Sequence, residues 1–230
     1  MSAAAVIVAA GAGVRAGGER PKQYQVIGGK PVLRRTVEAF LHHPGIARVQ
    51  VVIGEDHGAL YDEAVGDLSL PRPVPGGATR QLSVARGLEA LRQTGPDLVL
   101  IHDGARPFVS ASIISHVIAH LDRHGAVIPA LPITDTLKRA RGNLVVETVD
   151  RTGLWAVQTP QGFRFDAIAQ AHARAGKAAG QDFSDDASIA EWAGMDVALI
   201  PGSPDNAKVT SAEDLTAADL RLRREALLAL

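Results

Sequence analysis

The chain has 230 residues, 24 of them Lys or Arg and 25 Asp or Glu, and 46% of the residues are hydrophobic. That length suffices for one α/β domain with a sizeable core, and the near-neutral balance excludes a global field that would draw the protein to nucleic acid or to an anionic membrane. Cysteine is absent, which excludes disulfides and thiolate chemistry and fits a reducing compartment.

The apolar run from Ala3 to Ala10 reads as a buried strand. It lacks a basic leader and is too short to span a bilayer, so a soluble, cytoplasmic protein with no membrane or nucleic-acid partner is expected. The run empties into a loop in which Gly11, Gly13, Gly17 and Gly18 permit sharp turns and close approach of backbone N–H groups. Arg15, Arg20 and Lys22 add positive charge to that loop. Glycine plus cation directly after a strand suits an oligophosphate; the competing reading is a glycine-rich turn with solvated basic residues. Two familiar phosphate motifs fail. Glu19 stands where a Walker loop needs Lys-Ser/Thr, and three residues rather than two separate Gly13 from Gly17, against the dinucleotide fingerprint.

Further along, Pro31 opens a helix with Leu33, Val37, Phe40 and Leu41 on one face. A strand follows at Arg48 to Ile53, then a Pro/Gly-rich connector over 71–77 with a short extended piece, then a helix carrying Val84, Leu88 and Leu91. Leu98 to His102 is a buried strand. Ser110 or Ser112 caps a helix running to His124, and Ala126 to Leu131 is another strand. Residues 136–149 differ: two extended runs flank Gly142-Asn143, the signature of a hairpin. Gln158 to Arg164 returns to the domain, helices follow around 165–176 and 185–193, and Val197 to Pro201 is the last strand. Thr210-Ser-Ala-Glu213 reads as a capping box opening a C-terminal helix. The economical fold is α/β: one domain over 1–230, a doubly wound, mostly parallel sheet flanked by helices, with the hairpin at 136–149 protruding.

Ligands of open parallel sheets collect beyond the carboxyl ends of the strands. Polar clusters sit at those points here: the cationic glycine loop, Gly76-Gly77 with Arg80 and Ser83, Asp103 with Arg106, and Asp205-Asn206-Ala207-Lys208-Val209-Thr210. Asp103 could help hold Mg²⁺ or cap the turn at Gly104; Arg106 could grip a phosphate or pair internally with Asp103. Gly76-Gly77 is either a plain turn or the edge of a ligand site, and Lys208 either a site residue or solvated surface. His102 reads as a structural, hydrogen-bonded histidine, and no zinc spacing or Ser/His/Asp arrangement appears. Asp185-Asp186 reads as a helix opening. Cations, glycines and a metal-competent carboxylate without a nucleophile suggest phosphoryl or nucleotidyl transfer.

The segments Ala9-Ala-Gly-Ala-Gly-Val-Arg15, Pro21-Lys22-Gln-Tyr24, Gly76-Gly77-x-x-Arg80-x-x-Ser83-Val84 and His102-Asp103-x-Ala105-Arg106-Pro107 resemble one family in order and spacing. So do Asp135-Thr136-x-Lys138, Thr148-Val-Asp150-Arg151-x-Gly153-Leu-Trp155, Thr159-Pro160-Gln161 and Asp205-Asn206-x-Lys208-Val-Thr210. The family is 2-C-methyl-D-erythritol 4-phosphate cytidylyltransferase, of the non-mevalonate isoprenoid pathway, and the likeness covers essentially the whole chain.

The resemblance implies a Rossmann-like nucleotidyltransferase fold and transfer of CMP from CTP to methylerythritol phosphate, with Mg²⁺ or another divalent cation. It implies catalytic roles for Arg15, Lys22, Arg151 and Lys208. CTP would be met by Ala9, Ala10, Gly11, Ala12, Gly13, Gly77, Ser83 and Asp103, with Asp103 also a candidate metal ligand beside the phosphates. Arg106, Thr136, Thr159 and Ser184 would bind methylerythritol phosphate. The hairpin would reach across a two-fold axis, bringing Thr136 or Arg151 to the neighbouring subunit's site in a homodimer. Departures are modest: Ala78 and Ala16 replace larger residues, and Ser184 stands where threonine is usual. Some relatives are fused bifunctional polypeptides, and the sequence fits either arrangement. The rival readings are a cytidylyltransferase for another polyol phosphate such as ribitol 5-phosphate, a nicotinamide-dependent oxidoreductase, and an inactive nucleotide sensor.

Overall fold

The apolar run near the start of the chain becomes an interior strand of the main sheet. The structure, a computed structural model, describes residues 1–11, 20–178 and 182–228. In chain order the strands are β1 (Ala3–Ala9), β2 (Val26–Ile27), β3 (Lys30–Pro31), β4 (Ile46–Ile53), β5 (Val74–Pro75), β6 (Leu98–Asp103), β7 (Ala126–Pro132), β8 (Leu137–Arg141), β9 (Leu144–Val149), β10 (Trp155–Val157), β11 (Gln161–Arg164) and β12 (Val197–Pro201). The helices are α1 (Val32–Leu41), α2 (Gly58–Val65), α3 (Arg80–Leu91), α4 (Ala111–His120), α5 (Phe165–Ala175), α6 (Asp186–Trp192) and α7 (Ala212–Leu228).

β1 lies between β4 and β6, parallel to both, and β5 extends the sheet beyond β4. On the other side β11 is antiparallel to both β6 and β7, so those two point the same way. β10 is antiparallel to the end of β7, while β12 pairs with β7 in parallel. The sheet is therefore mostly parallel, with only β10 and β11 reversed. Along β1, Ala3, Ala5, Ile7 and Ala9 face a layer built from α1, α2 and α4, whereas Ala4 and Val6 face one built from α3, α5 and α6. Covering both faces is why this strand reads as an unbroken apolar run rather than as an alternation.

A third apolar cluster joins Ile27 and Val32 to Val209, Leu215 and Ala218. It ties the β2–β3 hairpin to α7 and anchors the segment just after Lys208. The expected capping box at Thr210–Glu213 is displaced by one residue. Asp214 accepts from the Thr210 and Ser211 N–H groups at 2.7 and 2.9 Å, and the Asp214 N–H reaches Ser211 Oγ at 3.3 Å. Ser211, not Thr210, thus caps α7.

α4 stops at His120 rather than His124. Leu121 is fully buried, and the polar 122–124 segment turns the chain back towards β7. Ser110 supplies its cap, accepting from the Ile113 N–H. Pro31 lies just ahead of α1 and pairs with Val26 instead of occupying the first helical position. Sequence patterning did not find α2, a short helix without a side-chain cap that buries Tyr61, Ala64 and Val65. Among the described residues no helix is long and apolar enough to cross a membrane.

β8 and β9 form the expected hairpin, turning at Gly142, whose φ of +57° places it in the left-handed region. Among the described residues they pair only with each other, and Leu144, Val145 and Val146 are 77%, 63% and 59% exposed.

Candidate active site

Val8 lies opposite Asp103 in the β1–β6 register, so both strands deliver their carboxyl ends to the same edge. β5 ends alongside β4 and releases Gly76-Gly77 at that edge too. Between them opens a cavity of about 570 Å³, lined by Val8 to Gly11, Lys22, Gln23, Gly77 to Arg80, Ser83, Asp103, Ala105, Lys208 and Thr210.

Close approach explains the glycine pair. A Cβ on Gly76 would sit 2.3 Å from Ala10 Cβ and 2.8 Å from Ser83 Oγ. Gly76 N–H donates to Ile53 carbonyl at 2.7 Å, which continues the edge of the sheet. Gly76-Gly77 is therefore both turn and cavity wall. Gly76→Ala is expected to destabilise the fold by about 1–3 kcal/mol, as overpacking does, and to displace Ala10 from the wall. Urea unfolding and nucleotide titration of the variant measure the two effects.

Ser83 Oγ accepts from the Gly77 N–H at 3.1 Å and donates to the Thr79 carbonyl at 2.9 Å, which holds the wall against the first turn of α3. Gln23, buried behind Lys22, donates its amide to the carbonyls of Ala9 and Gly11, each at 2.8 Å. It braces both sides of the β1 exit. Sequence reasoning assigned Gln23 no part, although it sits inside the quoted Pro21-Lys22-Gln-Tyr24 motif.

Asp103 is the electrostatic centre. Its Oδ2 lies 2.8 Å from Lys208 Nζ and 3.6 Å from Arg106 Nε, and its Oδ1 lies 3.3 Å from Arg80 Nε. Burial would raise the carboxyl's pKa, but Lys208, Arg80 and the other neighbouring cation outweigh it and hold the group well below the usual carboxylate range. Lys208 is not bare surface: it keeps 38% of its side chain in solvent while pairing with Asp103. Arg106 realises the internal ion pair and also donates from Nη1 to the Asn206 carbonyl at 2.8 Å, tying down the loop that carries Lys208. Burial is the main influence on Arg106 and lowers its pKa. Asn206 in turn donates to the Thr159 carbonyl at 2.8 Å.

His102 has the structural role expected of it. Burial pushes its imidazole down to about 4, so the ring is neutral. Its Nε2 faces the Arg106 carbonyl at 3.2 Å, which can only accept, so the proton sits on Nε2. Nδ1 then accepts from the Thr159 hydroxyl at 2.9 Å, while Thr159 Oγ1 accepts from the Asp103 N–H at 3.1 Å.

The structure brings together Ala9, Ala10, Gly11, Lys22, Gly77, Ser83, Asp103 and Lys208 around one cavity. Arg106 and Thr159 stand directly behind Asp103. Thr136, Arg151 and Ser184 do not line the cavity of a single chain: Thr136 and Arg151 flank the hairpin, where Arg151 Nη1 donates to the Thr134 carbonyl, and Ser184 is exposed just before α6. Arg15, Ala12 and Gly13 lie outside the described residues. Arg80 was quoted in a motif but given no role, yet it enters the cavity between Asp103 and Asp186.

Among the described residues no three His, Asp or Glu side chains cluster as a metal cage, and Asp103 is the one carboxylate lining the cavity. Its oxygens already face three cations. Such a donor set fits a divalent ion carried in by ligand phosphates and water, not one held by the protein alone.

The family model described as IspD, 2-C-methyl-D-erythritol 4-phosphate cytidylyltransferase, matches residues 3–224. The chain is 52% identical over 221 residues to the bifunctional enzyme IspD/IspF of Bradyrhizobium diazoefficiens and 51% identical over 223 residues to that of Rhodospirillum rubrum. These matches cover 95% and 96% of this chain but 55% and 57% of those proteins, so the chain spans about half the length of the curated relatives it matches. Among solved structures it is similar to 4-diphosphocytidyl-2C-methyl-D-erythritol synthase from Anaerococcus prevotii, with TM-score 0.84, 29% identity, and 97% and 96% of the two chains covered. The 2-C-methyl-D-erythritol 4-phosphate cytidylyltransferase of Thermus thermophilus gives TM-score 0.76 and 35% identity, covering 95% and 98%.

Proposed function

Because the chain belongs to the 2-C-methyl-D-erythritol 4-phosphate cytidylyltransferase family, we propose that it transfers CMP from CTP to 2-C-methyl-D-erythritol 4-phosphate. A phosphate oxygen of the acceptor bonds to the α-phosphorus of CTP. The bond from that phosphorus to the bridging oxygen breaks, and pyrophosphate leaves with its electron pair. The product is 4-diphosphocytidyl-2-C-methyl-D-erythritol.

The observation that carries this reading is that Lys22, Lys208 and Asp103 line one and the same cavity at the strand ends. Phosphoryl-group chemistry needs little covalent assistance from protein; it needs positioning and cations where charge develops. Lys22 and Lys208, with Arg15, supply those cations. The backbone at Ala9 to Gly11 approaches the nucleotide, Ala12 and Gly13 are assigned to the same ligand by family resemblance, and Gly77 and Ser83 bound its base. Asp103 stands near the ribose and the phosphates and keeps Lys208 at the wall. A divalent ion such as Mg²⁺, carried mainly by the nucleotide's phosphates with Asp103 as the nearby carboxylate, would neutralise phosphate charge. Arg106, Thr159, Thr136, Arg151 and Ser184 serve the acceptor phosphate. The chain is read as one cytidylyltransferase domain, 1–230, with 136–149 as its arm.

The test is pyrophosphate release from CTP and Mg²⁺ with methylerythritol phosphate or ribitol 5-phosphate as acceptor. Release with the first and little with the second is expected. No release with either overturns the reading, and faster release with ribitol 5-phosphate moves it to another polyol phosphate.

The arm supports a homodimer. A two-stranded hairpin is marginal alone in water, and exposed Leu144, Val145 and Val146 leave this one without apolar cover in the single chain. A second copy related by two-fold symmetry provides that cover and brings Thr136 and Arg151 to the neighbouring site. Val145→Glu is expected to shift the protein from dimer to monomer while its secondary structure persists. Sedimentation equilibrium together with circular dichroism checks both halves of the expectation.

A further inference from the structure

We propose that Asp186, fully buried and outside the cavity lining, is a positioning residue that acts through Arg80 to keep Asp103 shared with Lys208. This rests on the cytidylyltransferase reading and extends it to residues outside the cavity.

Asp185 is the cap of α6, accepting from the Ser188 N–H, and accounts for the opening of that helix. Asp186 is not needed there, and it is fully buried. Its Oδ2 lies 2.8 Å from Arg80 Nη1, and its Oδ1 lies 3.1 Å from His172 Nε2, itself buried. Gln161 fixes the backbone at the same point: its Oε1 accepts from the N–H groups of Asp186 and Ala187 at 3.1 and 2.9 Å, and its amide donates to Asp185 Oδ2 at 2.7 Å. A carboxylate taken fully out of water is costly unless paired with good geometry, and a hydrophobic group of similar size often serves stability as well. Its presence here therefore points to a task other than stability.

That task follows from how Asp103 divides its oxygens. Oδ1 is given to Arg80 and Oδ2 to Lys208. Arg80 is a rigid fork: Asp186 anchors it at Nη1, and in that orientation Nε is the nitrogen that reaches Asp103. Without the Asp186 charge that anchors Nη1, the guanidinium is free to pivot and bring Nη2 beside Nε onto Asp103 in two-point contact, the preferred geometry for an arginine and a carboxylate. Oδ2 would then turn from Lys208 to Arg80, and Lys208 would lose the contact that holds it at the cavity wall.

The experiment compares wild type, Asp186→Asn, Arg80→Gln and the double variant, reading kcat, KM for CTP and the unfolding midpoint of each. Asp186→Asn is expected to lower kcat by about tenfold to a hundredfold, with a smaller change in KM. Adding it to Arg80→Gln is expected to lower kcat little further, because the two substitutions interrupt one chain of contacts. Losses that multiply in the double variant, or unchanged kcat in folded Asp186→Asn, overturn the proposal. If Asp186→Asn does not fold, His172→Gln replaces it, with a loss of a few-fold that likewise vanishes in the Arg80→Gln background; a persisting loss overturns the proposal. Wild type that releases no pyrophosphate refutes the cytidylyltransferase reading itself, whereas active wild type with multiplicative losses refutes this inference alone.

Discussion

Lys22→Ala is expected to lower turnover by about a hundredfold to a thousandfold, the effect of removing one well-placed charge-stabilising group, while thermal unfolding changes by only a few degrees. The separation follows from where the residue stands. Lys22 opens a single 3₁₀ turn and lines the cavity, while its neighbours do the structural work: Gln23 braces Ala9 and Gly11, and Tyr24 is buried against the α1–α2 layer. Deleting the Lys22 side chain leaves both anchors in place. Phe40→Ala is the control, since Phe40 is fully buried in the same layer and its truncation removes about 3–5 kcal/mol. Steady-state kinetics and calorimetry on the two variants decide the matter. A Lys22→Ala protein that melts like Phe40→Ala yet turns over normally per folded molecule would refute the catalytic role.

The residues that were legible in the sequence share a physical cause. β1, β4 and β6 are covered on both faces, so their apolar runs stand out, and the parallel order follows from the helices between them. The hairpin at β8–β9 announced itself through Gly142-Asn143. The strand-end rule then led to Asp103, Gly77 and Lys208, because their chemistry lies next in sequence to strands that were easy to find.

What stayed hidden depends on contacts between distant segments. Asp186 reads as a helix opener because its neighbour Asp185 is one; only the packing of α3 against α5, with α6 beyond, turns its side chain towards Arg80. Gln23 and Asn206 likewise gain their roles from carbonyls at Ala9, Gly11 and Thr159, which no local pattern indicates. The reversal of β11 between β6 and β7 was invisible for the same reason, since a four-residue strand carries no mark of its direction. Even the resemblance, which covers the whole chain, carries residue identities and leaves this wiring unstated.

Asp103→Asn should have the largest effect on stability of any change in the cavity, and it carries a pH signature. Removing one partner from a buried ion cluster leaves others uncompensated, here Arg106 and Lys208, while Arg80 keeps Asp186. A loss of about 3 kcal/mol is expected, at the low end for buried pairs because Lys208 keeps access to solvent. For a chain of this size that lowers the unfolding midpoint by roughly 6–12 °C. The Asp103 carboxyl is held below its unfolded value of about 3.9, so its contribution is fully present above that pH and is lost progressively as the pH falls below it. Wild-type stability should therefore decline on acidification below about pH 4, and part of that decline should be missing in Asp103→Asn, whose side chain has no proton to take up. Urea unfolding from neutral pH down to about pH 3 provides the comparison. Parallel curves for the two proteins across that range would mean that Asp103 titrates normally and that the three cations do not hold it.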